Sequence, residues 1–121
     1  MTRILVVDDE KNIRALYEAE LGDEGYEVVT AESAKEAYNK LDSEVFDIVI
    51  LDIRMPEEDG ISALEKMMVK RRDLTVIINS AYSSYKDNFL TWLAEDYIIK
   101  SADLTELKTK IAQIVGKKGK A

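Results

Sequence analysis

Three short runs without a single polar residue set the tightest limit on this chain: Ile4-Leu5-Val6-Val7, Ile48-Val49-Ile50-Leu51 and Val76-Ile77-Ile78. None alternates apolar with polar residues. A strand with one face in water must alternate, whereas a strand buried on both faces need not. Sheets buried on both faces are the parallel kind, covered by helices on either side. Two further strands are predicted from Tyr26 to Thr30 and over Tyr97-Ile98-Ile99.

The stretches between the strands carry helical spacing. Ile13, Leu16, Tyr17 and Leu21 fall on one helical face, as do Ala34, Ala37, Tyr38 and Leu41. Ile61, Leu64, Met67 and Met68 repeat the pattern, and so do Leu104, Leu107, Ile111 and Ile114. Ser33 with Glu36, and Asp103 with Glu106, have the spacing of helix N-caps. Gly22 and Gly25 offer a permissive turn before the second strand. Strict alternation of five strands with five helices predicts a doubly wound α/β fold, and the 121 residues read as one domain.

Composition narrows the chemistry. With no cysteine there is no disulfide, thiol nucleophile or cysteine zinc site; with no histidine there is no Ser-His-Asp triad and no phosphohistidine on this chain. What remains is carboxylate, lysine, hydroxyl and backbone chemistry, and any metal must be a hard cation on oxygen, Mg2+ first among them. Seventeen bases against 24 acids give a net charge of −7. Lys117, Lys118 and Lys120 crowd into the last five residues, which read as a basic, frayed tail, so the body is more acidic still. Such a surface repels nucleic acid and anionic membranes. No run is long enough to span a membrane and no signal-peptide core opens the chain, so a cytoplasmic location is expected.

In an open parallel sheet, ligands bind beyond the carboxyl ends of the strands. The first predicted strand runs into Asp8, Asp9 and Glu10, the third into Asp52, the fourth into Asn79 and Ser80, and the fifth into Lys100. Three carboxylates on one edge repel one another unless a cation such as Mg2+ neutralises them. A lysine beside them suits an anionic oxygen, and a serine adds a donor. The set fits phosphoryl transfer, in which positioning and charge neutralisation dominate and a carboxylate can itself be the nucleophile.

Asp8-Asp9, the stretch from Leu51 to Gly60 with its Asp-x-x-Met-Pro-x-x-Asp-Gly pattern, Ser80-Ala81-Tyr82 and Asp96 to Lys100 resemble the receiver domain of two-component response regulators, in order and over essentially the whole chain. The resemblance implies a flavodoxin-like sheet of order 2-1-3-4-5. It implies Asp52 as phosphoryl acceptor, and Mg2+ on Asp9, Asp52 and the backbone carbonyl of Arg54, with Asp8 acting through water. Lys100 would pair with the acceptor or its phosphoryl group, Ser80 would hydrogen-bond the phosphoryl oxygen, and Tyr97 would be the aromatic switch. The implied donor is a histidine kinase or histidine phosphotransfer protein. A downstream protein, or a second copy of the chain, would meet the face made by the fourth helix, fifth strand and fifth helix.

Three departures from the family lie near that face. Ser101 follows Lys100 where receivers usually have a cis proline, the segment from Ser80 to Lys100 is about two residues shorter than the usual pattern, and Leu93 stands where a glycine usually ends the fourth helix. A cis bond without proline costs about 2.5–4 kcal/mol, so a trans Lys100–Ser101 peptide is expected. A short or irregular fourth helix is expected as well, with one or more of Tyr85, Phe89 and Trp92 exposed to a partner. The competing class is a Mg2+-dependent phosphohydrolase with an aspartate nucleophile. Such enzymes usually carry a second acid two residues after the nucleophile, where this chain has Arg54.

Overall fold

The apolar runs become neighbouring strands. A computed structural model of the chain describes residues 2–52, 60–71, 73–81, 94–101 and 103–119. Along these residues the elements are β1 (Arg3–Val7), α1 (Lys11–Asp23), β2 (Glu27–Ala31), α2 (Ala34–Ser43), β3 (Ile48–Leu51), α3 (Gly60–Lys70), β4 (Thr75–Ser80), β5 (Asp96–Ile99) and α4 (Thr105–Gly119). The five strands form one sheet of order β2-β1-β3-β4-β5 with every pair parallel. That is the order expected from the family resemblance. The predicted fourth helix, with Tyr85, Phe89, Trp92 and Leu93, lies outside the described residues, as does Arg54.

The absence of alternation in β1, β3 and β4 has a direct cause. On one face, Leu5, Val7, Val49, Leu51, Val76 and Ile78 pack against Ala34, Ala37 and Leu41 of α2 and Ala63, Leu64 and Met67 of α3. On the other, Ile4, Val6, Ile48, Ile50, Ile77 and Ile98 pack against Tyr17 and Leu21 of α1 and Leu107, Ile111 and Ile114 of α4. Successive strand residues point to opposite faces, so each residue of a run feeds one layer or the other. Each fully buried side chain of this size contributes about 1.5–3 kcal/mol relative to an exposed one.

Local signals behave as their chemistry requires, with two shifts. Ser33 caps α2, its hydroxyl accepting the Glu36 N–H at 3.1 Å. Ser33→Ala should therefore lower the unfolding free energy by about 1 kcal/mol in urea titration, with an unchanged denaturant slope. Asp103 takes a different donor from the one its spacing suggested. Its carboxylate accepts from the Thr105 N–H at 2.9 Å and the Thr105 hydroxyl at 2.5 Å, because α4 begins at Thr105. Gly25 has φ +93° and turns the chain into β2, whereas Gly22 lies within α1. No cis peptide bond occurs among the described residues, so Lys100–Ser101 is trans as expected.

Candidate functional site

Register brings the acids together. Val7 pairs with Leu51 at the ends of β1 and β3, so Asp8 and Asp52 leave the sheet side by side. Backbone bonds hold them there: the Asp8 N–H donates to Ala31 O and the Asp52 N–H to Val7 O, both at 3.0 Å. Asp8 and Asp52 are buried, at 2% and 5% exposure, while Asp9 is exposed. One carboxylate oxygen from each of the three lies within 4.8 Å of the others.

Lys100 leaves the end of β5, where its N–H donates to Ser80 O at 2.8 Å. Its ammonium reaches back across the sheet end to Asp8 Oδ2 at 2.7 Å and Asp52 Oδ2 at 3.1 Å. Burial works against the charged lysine and is the largest single influence on it. The hydrogen bond to Asp8 and the charges of Asp52 and Asp8 together outweigh burial, and the ammonium is held above the ordinary lysine pKa. The other Asp8 oxygen accepts the Glu10 N–H at 2.9 Å, at the start of α1. One ammonium thus faces three carboxylates, an excess of negative charge on all-oxygen donors that fits a hard divalent cation.

Ser80 is the last residue of β4 and is fully buried. It lies inside the strand rather than just beyond it. Tyr97 sits in β5, half-buried, with its ring against the core layer beneath α2 and α3. The structure therefore gathers Asp8, Asp9, Asp52 and Lys100 into one cluster and puts Ser80 on the adjoining strand end. Asp8, as well as Asp52, has Lys100 as a direct ion-pair partner.

Asn79, read from sequence as an edge residue beside Ser80, has a partner in Tyr17 that sequence reasoning missed. The Tyr17 hydroxyl donates to Asn79 Oδ1, and Asn79 Nδ2 donates to Ile98 O at 3.0 Å. A signal for it exists. Asn79 has the strand parity of Ile77, so it must face the layer under α1 and α4, and a buried amide there needs a polar partner. Burial, the leading cause, pushes the Tyr17 hydroxyl up to about 12; Lys100 opposes the shift, and Asp8 and Asp52 favour it. A pKa raised on folding gives stability that is complete below the unfolded value and is lost as pH climbs through the folded one. An alkaline titration followed by tyrosinate absorbance should show Tyr17 ionising near pH 12, together with loss of on the order of 2–3 kcal/mol of stability above pH 10. In Tyr17→Phe that absorbance step should be missing.

Comparison with known proteins agrees with this geometry. The response regulator receiver domain model matches residues 4–112. Response regulator protein TrrA from Thermotoga maritima, solved in complex with Mg2+-BeF, is 45% identical with a TM-score of 0.91, covering 94% of this chain and 99% of that one. A structure of the histidine kinase ThkA in complex with TrrA matches at 45% identity and TM-score 0.89, over 94% of this chain and 98% of that one. Response regulator ArlR of Staphylococcus aureus is 34% identical over 95% of this chain and 53% of its own length. The probable transcriptional regulator ycf27 of Guillardia theta is 36% identical over 98% of this chain and 47% of its own length. The chain thus spans about half the length of these curated relatives. With a family model matched from β1 into α4 and the acids and lysine of the sheet edge in register, the chain belongs to the response regulator receiver domain family.

Proposed function

We propose that the chain is a phosphoacceptor switch in which Asp52 takes a phosphoryl group from a phosphohistidine donor. One observation carries the reading: Lys100 bridges Asp8 and Asp52 at the closed end of a cluster whose third acid, Asp9, is open to solvent. An Asp52 oxygen attacks phosphorus, the P–N bond of the donor breaks as the O–P bond forms, and the imidazole leaves with the electron pair and takes a proton from water. The product is an acyl phosphate. Lys100 exchanges one carboxylate partner for a phosphoryl oxygen, and the Ser80 hydroxyl donates to another.

Asp9, Asp52 and the backbone carbonyl of Arg54 would hold Mg2+, with Asp8 acting through water. The all-oxygen donor set and the proximity of the three carboxylates support this assignment. The ion would supply positive charge to the transferring phosphoryl oxygens. Tyr97, half-buried in β5 against the core layer beneath α2 and α3, would be the aromatic switch.

The donor is a histidine kinase or histidine phosphotransfer protein, a reading supported by the TrrA complex with its kinase. The output partner is a downstream protein, or a second copy of the chain, at the face that includes β5 and α4. The only reactions the domain performs are its own phosphorylation and dephosphorylation. Among the described residues no helix is long and apolar enough to cross a membrane, and a cytoplasmic site of action follows from the kinase partnership. Intact mass after incubation with acetyl phosphate and Mg2+ tests the reading. The expected result is the mass gain of one phosphoryl group, and a chain that gains none from acetyl phosphate or from a phosphorylated kinase refutes it.

A further inference from the structure

The Lys100 ammonium must be held in place, yet it hangs from the end of a four-residue strand at the edge of the sheet. Among the described residues β5 has β4 as its one neighbour, so beyond the Lys100 N–H bond to Ser80 O the ladder holds its carboxyl end from one side only. The Tyr17–Asn79 pair supplies a second anchor. Asn79 donates its amide to the carbonyl of Ile98, two residues before Lys100, and Tyr17 fastens the other end of that amide to α1. Helix α1 begins just after Asp8 and Asp9, and the Asp8 carboxylate holds its first turn through Glu10. A line of hydrogen bonds therefore runs from the helix that follows the acids, through β4, to the strand that carries the lysine.

We propose that Tyr17 and Asn79 act as positioning residues that fix the Lys100 ammonium against Asp8 and Asp52. Two apolar side chains would fill the same layer without the cost of burying polar groups. What they could not supply is direction: a hydrogen-bonded pair has a single satisfied arrangement, whereas apolar contacts tolerate sliding. The hydroxyl of Tyr17 is also within electrostatic reach of the cluster, since Lys100, Asp8 and Asp52 all act on its proton affinity. Neither residue touches the transferring group; each acts through Lys100.

The inference deepens the phosphoacceptor reading, but its decisive readout does not depend on it. In the unphosphorylated, metal-free protein, the ammonium nitrogen of Lys100 should give a slowly exchanging proton–nitrogen NMR signal, because both of its carboxylate partners are buried. Tyr17→Phe removes one oxygen and should cost that slow exchange, with the signal shifted or broadened away. The double variant Tyr17→Phe/Asn79→Leu removes both side-chain polar groups, so that only the Ile98 carbonyl loses a donor, which should restore much of the stability. It should nevertheless keep the altered Lys100 signal, and its labelling by acetyl phosphate should fall on the order of tenfold.

A pair with a merely structural role predicts the reverse, a double variant with the wild-type signal and rate. A wild-type Lys100 signal in Tyr17→Phe overturns the proposal, even if the double variant fails to fold. Should the wild-type chain refuse acetyl phosphate altogether, the phosphoacceptor reading falls, while the Lys100 signal still decides for or against the anchor.

Discussion

Asp52→Asn should abolish the phosphoryl mass gain while the protein stays folded. Asparagine has the shape of aspartate, so the end of β3 keeps its geometry and the Asp52 backbone bond to Val7 is untouched. What would disappear is the anionic oxygen proposed to attack phosphorus; a neutral amide oxygen is a far poorer nucleophile. Lys100 retains Asp8 at 2.7 Å, so the ammonium is not stranded. Loss of the longer ion pair is offset by relief of repulsion among the three acids, and stability should change by no more than about 1 kcal/mol. The chemistry of the label gives an independent check. An acyl phosphate is cleaved by hydroxylamine, whereas a phosphoester on the neighbouring Ser80 is not. A variant that still gains the mass, or a hydroxylamine-resistant label in the wild type, would show that the acceptor has been misassigned.

Lys100→Met should be strongly destabilising while leaving all three acids in place. Methionine fills the space of the lysine stem but leaves Asp8 and Asp52 buried without their shared cation. Breaking a buried ion pair from one side costs about 3–5 kcal/mol, and partial solvent access at Lys100 brings the expectation down to about 2–3 kcal/mol at neutral pH. The deficit should shrink with Mg2+, because any ligand that binds only the folded state stabilises by mass action. Denaturant titrations with and without Mg2+ measure the effect. The variant should gain more from Mg2+ than the wild type does, having lost the competing cation. Equal stability without metal would mean that the ion pairs contribute nothing, and indifference to Mg2+ would remove the acids as its site.

Sequence disclosed those parts of the fold whose burial is symmetrical. β1, β3 and β4 could be read at once because both faces of each are covered, which leaves an unbroken apolar signature. β2 lies at an edge and mixes exposed with half-buried positions, so its pattern is weaker and its register moved by one residue, to Glu27–Ala31. The acids and Lys100 were legible because strand ends in a parallel sheet must converge on one edge. How the ammonium divides itself between Asp8 at 2.7 Å and Asp52 at 3.1 Å was not, since those distances are encoded in no spacing. Tyr17 was hidden by its own helical periodicity: as one member of an apolar face it looked like core, and only the cross-layer partner at Asn79 reveals the hydroxyl's purpose.

The wide spacing of the charged cluster along the chain has a consequence for how the protein is made. Asp8 and Asp52 emerge from the ribosome well before Lys100, and every strand pairing in this sheet joins segments separated by an intervening crossover. Topologies dominated by such long-range pairings fold slowly. Until β5 docks, the growing chain carries two acids with no cation to meet them at the sheet edge. Docking of β5 both completes the sheet and delivers that cation. That docking is therefore rewarded twice, by hydrogen bonding along β4 and by charge cancellation at its end. A nascent chain stopped short of Lys100 lacks both rewards and should be the species that chaperones and proteases meet.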